Sequence, residues 1–202
     1  MKKALILLMA VLLLCGQAFA EDAVTSATIK IETLPAVEAQ ENGILVVYFS
    51  PDDTVRAAAC TIAAALSAEL FEIVPAEPYT AEDLNYNNSK SRSMAEMRDS
   101  KARPEIAELP EDLSGYGRII LCYPVWGGMA PKIICTFLEG VDLSGKTVVP
   151  FATSNSSGIG SSAVKLQALT GDSVTWEKGK GIKKGCTPEE IGAWAQELFP
   201  EE

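Results

Sequence analysis

Ile44-Leu-Val-Val-Tyr-Phe49 is an unbroken apolar run. A strand with one face in water alternates apolar and polar residues, so this run must be covered on both faces. Few architectures allow that, and the simplest is a parallel sheet held between two layers of helix. The rest of the chain keeps to this scheme. Val55, Ala58, Ala59, Ile62, Ala63 and Leu66 recur at helical spacing, with Asp53 placed as the N-cap. Leu70–Val74, Arg118–Tyr123, Lys146–Ala152 and Ser173–Glu177 read as further strands. Pro131–Leu138, Ser161–Leu169 and a segment from the cap Thr187 to about Phe199 read as helices, and the polar stretch Ala81–Ser100 as a helix with long loops. Five strands alternating with five helices predict an α/β fold, a three-layer sandwich around a five-stranded parallel sheet with right-handed crossovers. Ligands of such sheets sit beyond the carboxyl ends of the strands, which selects the loops 50–54, 124–130 and 153–161.

The N-terminal segment reads differently. Lys2 and Lys3 precede an apolar run, Ala4 to Leu14, and then Cys15-Gly-Gln-Ala-Phe-Ala20. This is the pattern of a secretory signal peptide, with cleavage expected after Ala20. The run is too short to span a bilayer, which takes ~20 residues, so no transmembrane segment is expected in the mature chain. Lipoprotein processing at Cys15 is the less favoured alternative, because Leu14 stands where such a signal needs a small residue. Residues 21–42, rich in Thr, Ser, Ala, Pro and Glu without a sustained period, read as a flexible tether before a domain over 43–202. The expected location is therefore outside the cytoplasm, periplasmic or extracellular.

Charge and composition narrow the chemistry. The chain carries −10, and −12 once the leader and its two lysines are removed. It repels phosphate backbones, so nucleic-acid binding is not expected. It contains no histidine. Histidine-based triads, histidine zinc sites and histidine pH switches are thereby excluded. Cys60, Cys122, Cys135 and Cys186 form no CxxC, so neither a metal cage nor a thioredoxin site is indicated. Export permits disulfides, but Cys60, Cys122 and Cys135 lie in apolar segments and read as buried thiols.

Two glycine motifs fail on context. Gly140-Val-Asp-Leu-Ser-Gly-Lys-Thr147 matches the phosphate-loop pattern GxxxxGK[ST]. That loop must leave a strand and open a helix; here it leaves a helix and opens a strand, and it reads as a surface turn. Gly158-Ile-Gly-Ser-Ser-Ala163 lies between strand and helix, but the stretch about twenty residues beyond Gly160, Lys178 to Lys183, holds no acid to bind a ribose.

Taken in order, Tyr48-Phe49-Ser50, Pro78-Tyr79-Thr80, Asp83-Leu84-Asn85, Arg103-Pro104-Glu105-Ile106, Tyr123-Pro124-Val125-Trp126, Phe137-Leu138, Ser144-Gly145-Lys146 and Ser157-Gly158 resemble the flavodoxin-like family of bacteria, in a form often exported. The resemblance runs from about Ile44 to Leu169. It implies strand order 2-1-3-4-5 and FMN held by the three loops named above, through Ser50, Thr54, Pro124, Val125, Trp126, Gly127, Thr153, Ser154, Asn155, Ser157 and Gly158. It also implies an FMN-dependent electron carrier or small oxidoreductase, with the chemistry supplied by the flavin. Its redox partner is not legible in the residues, and no side chain reads as a catalytic acid or nucleophile. The alternative is a binding or interaction module of the same fold that has lost tight FMN binding.

The residues of the loops agree in part. Trp126 offers a flat ring for stacking, and Gly127 and Gly128 allow close approach of the backbone. Thr153, Ser154, Asn155, Ser156 and Ser157 offer amides and hydroxyls, although Ser154-Asn155-Ser156 replaces a common His-Gly-Gly of the family. The first loop is discordant. Ser50-Pro-Asp-Asp-Thr54 is one residue shorter than the family pattern, has no glycine, and places two carboxylates where a phosphate is expected. At ~5 Å and an effective dielectric of ~20, each like-charge pair costs on the order of 3 kcal/mol. Arg56 can offset part of this. The loop therefore predicts weak FMN binding with little discrimination against riboflavin.

Overall fold

The computed structural model describes residues 43–154, 158–183 and 186–199. The leader assigned to residues 1–20 with Cys15, the tether assigned to 21–42, and Asn155 and Ser157 of the candidate site lie outside the described residues. The elements in chain order are β1 (Gly43–Tyr48), α1 (Thr54–Leu66), β2 (Glu69–Glu72), α2 (Arg92–Arg98), β3 (Tyr116–Pro124), α3 (Lys132–Gly140), β4 (Thr147–Ser154), α4 (Ser162–Gln167), β5 (Thr175–Trp176), β6 (Lys180–Lys183) and α5 (Pro188–Leu198). The strands are parallel in the order β2-β1-β3-β4-β5, with β6 also on β4.

The apolar run of β1 is buried on both faces, as its composition requires. Leu45, Val47 and Phe49 join Ile119, Leu121 and Tyr123 of β3 and Ile133, Ile134 and Phe137 of α3 in one core. Val46 and Tyr48 face the other way, into a second core with Val55, Ala59 and Ile62 of α1 and Ile191 and Trp194 of α5. The buried stripe of α1 is Val55, Ala58, Ala59, Ile62 and Ala63, so Cys60 falls on the opposite side of the helix and is exposed. Cys122 and Cys135 are buried, Cys186 is half-buried, and all four thiols are free. Burial alone pushes the Cys122 thiol far above its ordinary range. The expectation of three buried thiols thus fails at Cys60, because an apolar segment carries a polar side as well.

Two elements depart from their sequence pattern. The polar stretch 81–100 is helical only over Arg92–Arg98. Before it, side chains take the backbone amides that a helix would use. Asp83 accepts from the amide of Thr80 at 2.9 Å, Asn85 from that of Asn87 at 3.1 Å, and Asn88 from that of Lys90 at 2.9 Å.

The fifth strand is split, and Pro150 explains where. On that side of β4, Lys146 and Val148 accept from Thr175 and Glu177 at 2.9 and 3.0 Å. Strand residues point alternately to either neighbour, so the next amide on that side belongs to Pro150, which has none. Pairing lapses over 178–179 and resumes as β6, with Lys180 opposite Phe151. A single strand at Ser173–Glu177 is therefore replaced by β5 and β6, and the sheet gains a sixth strand. The motif Gly140–Thr147 behaves as its context demands. The Lys146 ammonium donates to the carbonyls of Leu113 and Tyr116 at 2.7 and 2.8 Å, which fastens the start of β3.

Gly181 of β6 touches the turn that follows β4. A Cβ there would lie 2.0 Å from the Ile159 nitrogen and 2.5 Å from the Gly158 carbonyl carbon, both backbone atoms that cannot swing away. Gly181→Ala should therefore destabilise the protein by about 1–3 kcal/mol in urea unfolding. Gly171→Ala, where a Cβ meets only the Ser173 hydroxyl at 3.9 Å, should leave the midpoint near that of the parent. Equal effects would show that the contact does not constrain the loop.

Candidate functional site

The carboxyl ends of β1, β3 and β4 bring the three predicted loops together at the switch in strand order. Pro124 is buried and lies opposite Thr153 in the ladder between β3 and β4. The next amide, Val125, donates to the Thr153 carbonyl at 2.8 Å, so these two loops leave the sheet side by side. Val125, Thr153, Ser154 and Gly158 are half-buried. Trp126 and Met129 exchange two backbone hydrogen bonds of 2.9 and 3.0 Å around Gly127 and Gly128. Both glycines have positive φ, 54° and 79°, the pattern of the tight hairpin turn that other residues resist. Gly160 packs near the Gly128 carbonyl, where its Cβ would come within 3.8 Å, which brings the third loop against the second.

The Trp126 ring is half-buried and stands edge-on to two aromatic neighbours. Its centroid is 5.9 Å from that of Phe49, at the end of β1, and 5.6 Å from that of Tyr79. Phe49 and Tyr79 are themselves 5.7 Å apart. Tyr79 is the residue that sequence reasoning passed over as a site residue. Its hydroxyl donates to Glu96 at 2.6 Å, the Arg92 guanidinium lies 4.1 Å from its ring centroid, and Arg92 donates to Glu96 at 2.8 Å. Burial first, and then the Glu96 carboxylate, push the Tyr79 hydroxyl far above its ordinary range, so it stays protonated. The available signal was an aromatic residue directly before the Thr80–Asp83 turn; its partners Arg92 and Glu96 lie outside that local pattern. Behind the third loop, the Tyr123 and Ser162 hydroxyls share a 3.0 Å hydrogen bond, and Ser162 donates to the Ile159 carbonyl at 2.6 Å. Burial pushes Tyr123 up to about 12.

The first loop corrects one expectation. Asp53 holds the N-cap position of α1 but makes no side-chain cap. Its backbone is left-handed, with φ 62°, and its carboxylate turns outward to Arg56 at 3.2 Å. The capping is done instead by Ser50, whose hydroxyl oxygen accepts from the Arg56 amide at 2.9 Å, and by Asp52, whose carboxylate takes a long 3.4 Å contact from the Thr54 amide. Thr54 is exposed at the start of α1. Arg56 also donates to Glu72 at 2.6 Å, and Tyr48 donates to the other Glu72 oxygen at 3.0 Å.

The flavodoxin family model matches residues 43–198. The chain belongs to the flavodoxin family. A candidate flavoprotein from Bacteroides eggerthii is 42% identical over 79% of this chain and 99% of its own, with a TM-score of 0.71. A second, from Bacteroides uniformis, is 39% identical over 78% of this chain and 99% of its own, with a TM-score of 0.74. A flavoprotein from Lactobacillus acidophilus, solved in complex with FMN, shares the fold at 22% identity over 68% of this chain and 91% of its own, with a TM-score of 0.54. No curated protein matches the chain.

The residues fit one end of the FMN that this family implies and not the other. Around Trp126, a Cβ at Gly127, Gly128 or Gly158 would meet nothing within 4 Å, so a flat ring has open backbone to approach. At the start of α1, the amides of Thr54 and Arg56 already face Asp52 and Ser50.

Tyr79→Phe removes the hydroxyl but leaves Glu96 paired with Arg92. The expected cost is about 1–2 kcal/mol, read as a lower urea midpoint at unchanged slope. An unchanged midpoint would mean that the Arg92–Glu96 pair holds this loop without Tyr79.

Proposed function

We propose that the chain is a flavin-binding electron carrier or small oxidoreductase of the flavodoxin type that works outside the cytoplasm. The observation that carries this reading is the half-buried Trp126 ring on its Gly127-Gly128 turn, where three loops meet at the β1/β3 switch point. The Lactobacillus acidophilus protein with the same fold binds FMN, which supports it. Trp126 is the platform for the ring, and the adjoining glycines let the backbone close on it. Pro124 and Val125 fix that loop to Thr153. Thr153, Ser154, Asn155, Ser157 and Gly158 supply polar groups for the ring edge and the ribityl chain. Ser50 and Thr54, at the start of α1, would be the residues nearest the end of that chain. A bound flavin supplies reversible electron transfer there. The protein orients it and keeps water from its covered face; no side chain of the three loops is assigned as a proton donor.

A second reading, a binding module of the same fold without tight FMN binding, is favoured by the self-capped first loop. Protein purified from its own host distinguishes the two: the flavin reading expects a yellow protein, or one whose Trp126 fluorescence is quenched by added flavin. Trp176 and Trp194 are replaced by Phe so that the signal reports Trp126. Trp126→Ala should weaken flavin binding by roughly 1–3 kcal/mol through lost contact area. Unchanged affinity removes Trp126 from the site, and no binding of any flavin leaves the module reading.

Action outside the cytoplasm rests on the first twenty residues. Mass spectrometry of the exported protein should give Glu21 as its first residue. A diacylated Cys15 would instead make it a membrane-anchored lipoprotein.

A further inference from the structure

We propose that the crevice accepts riboflavin at least as readily as FMN, because the start of α1 is already occupied by its own loop. This rests on the flavin reading above and concerns which flavin is taken. In a sheet of this strand order, a phosphate on the ribityl chain is received by the free amides and the positive dipole end of the helix after β1. Here the first three helical amides belong to Thr54, Val55 and Arg56. The Arg56 amide donates to the Ser50 hydroxyl at 2.9 Å, and the Thr54 amide faces Asp52 at 3.4 Å. Pro51 has no amide to give.

The charges point the same way. Arg56 is the cation of this first turn, and two carboxylates hold it: Glu72 at 2.6 Å and Asp53 at 3.2 Å. Asp52, Asp53 and Glu72 against Arg56 leave the loop with a net −2. A phosphate monoester brings nearly two more negative charges at neutral pH. A terminal hydroxyl brings none, and it can donate to a carboxylate where a dianion cannot. The carboxylate that sits at the helix start is that of Asp52, since Asp53 has turned its own to Arg56. The phosphate would have to displace this group rather than join it.

Calorimetric titration of riboflavin and of FMN into the whole protein tests this. Riboflavin should bind no more weakly than FMN, and added salt should raise FMN affinity alone, by screening the repulsion. The double variant Asp52→Asn with Asp53→Asn should tighten FMN by about tenfold and leave riboflavin within about twofold. Asn keeps the turn acceptor at position 52 and tolerates the left-handed backbone at 53. Glu72→Gln is the second variant. It removes one of the two carboxylates that hold Arg56 without touching the loop, and should also favour FMN selectively. FMN binding at least tenfold tighter than riboflavin by the parent overturns the inference and leaves the flavin reading intact. Equal gains for both ligands in the variants overturn it too, since charge would not be the discriminator. Binding of neither flavin overturns both this inference and the flavin reading.

Discussion

Burial of β1 on both faces is the constraint from which the rest of the molecule follows. Leu45, Val47 and Phe49 enter one core and Val46 and Tyr48 the other, each nearly inaccessible to water. Each such side chain contributes roughly 1.5–3 kcal/mol only if a helix layer closes over it. Two layers then force crossovers between parallel strands, and right-handed crossovers gather the βα loops at one end of the sheet. The location of the candidate site is thus a consequence of core packing. Phe49 connects the two directly, since this buried residue, the first after β1, is also the ring against which Tyr79 and Trp126 rest.

The far side of the site is shaped by a missing hydrogen-bond donor. Pro150 cannot pair toward the fifth strand, so pairing lapses over 178–179 and the chain re-enters as β6 further along β4. Gly181 then lies against the backbone of Gly158 and Ile159, and Gly179 against Pro150 itself. The absence of side chains at these positions allows β6 to support the turn after β4 from behind. A strand that ran on unbroken beside β4 would need that amide. The Ser162 hydroxyl, bonded to Tyr123 and to the Ile159 carbonyl, holds the same turn from the core side.

Electrostatics at the start of α1 shows how one demand can exclude another. A helix N-terminus has amides to satisfy, and either the chain or a ligand can satisfy them. Here Ser50 and Asp52 do so from within the loop, while Asp53 and Glu72 occupy Arg56. What stabilises the first turn is thereby withdrawn from recognition of an anion. The Trp126 end of the crevice carries no such conflict, because its backbone is opened by glycine rather than closed by side-chain caps.

The sequence by itself determined the strand and helix types, the double burial of β1, the three loops, and the reading of Gly140–Thr147 as a turn. It also determined the cap of α5, where Thr187 and Glu190 bond reciprocally at 3.3 and 2.9 Å. All of these are written in residues a few positions apart, within the reach of backbone period, local capping and turn chemistry. Only the tertiary structure decided which carboxylate of the first loop caps the helix, because Asp53 is turned away by its backbone φ and by Arg56. Only it decided that Cys60 faces outward, that Tyr79 joins Glu96 and Arg92 behind Trp126, and that the fifth strand splits beside Pro150. Each of these depends on what a distant segment presents: the opposite face of α1, a carboxylate seventeen positions along, a neighbouring strand without a donor. Contacts of that kind carry no periodic signature in the chain, and they exist only once the sheet has brought the segments together.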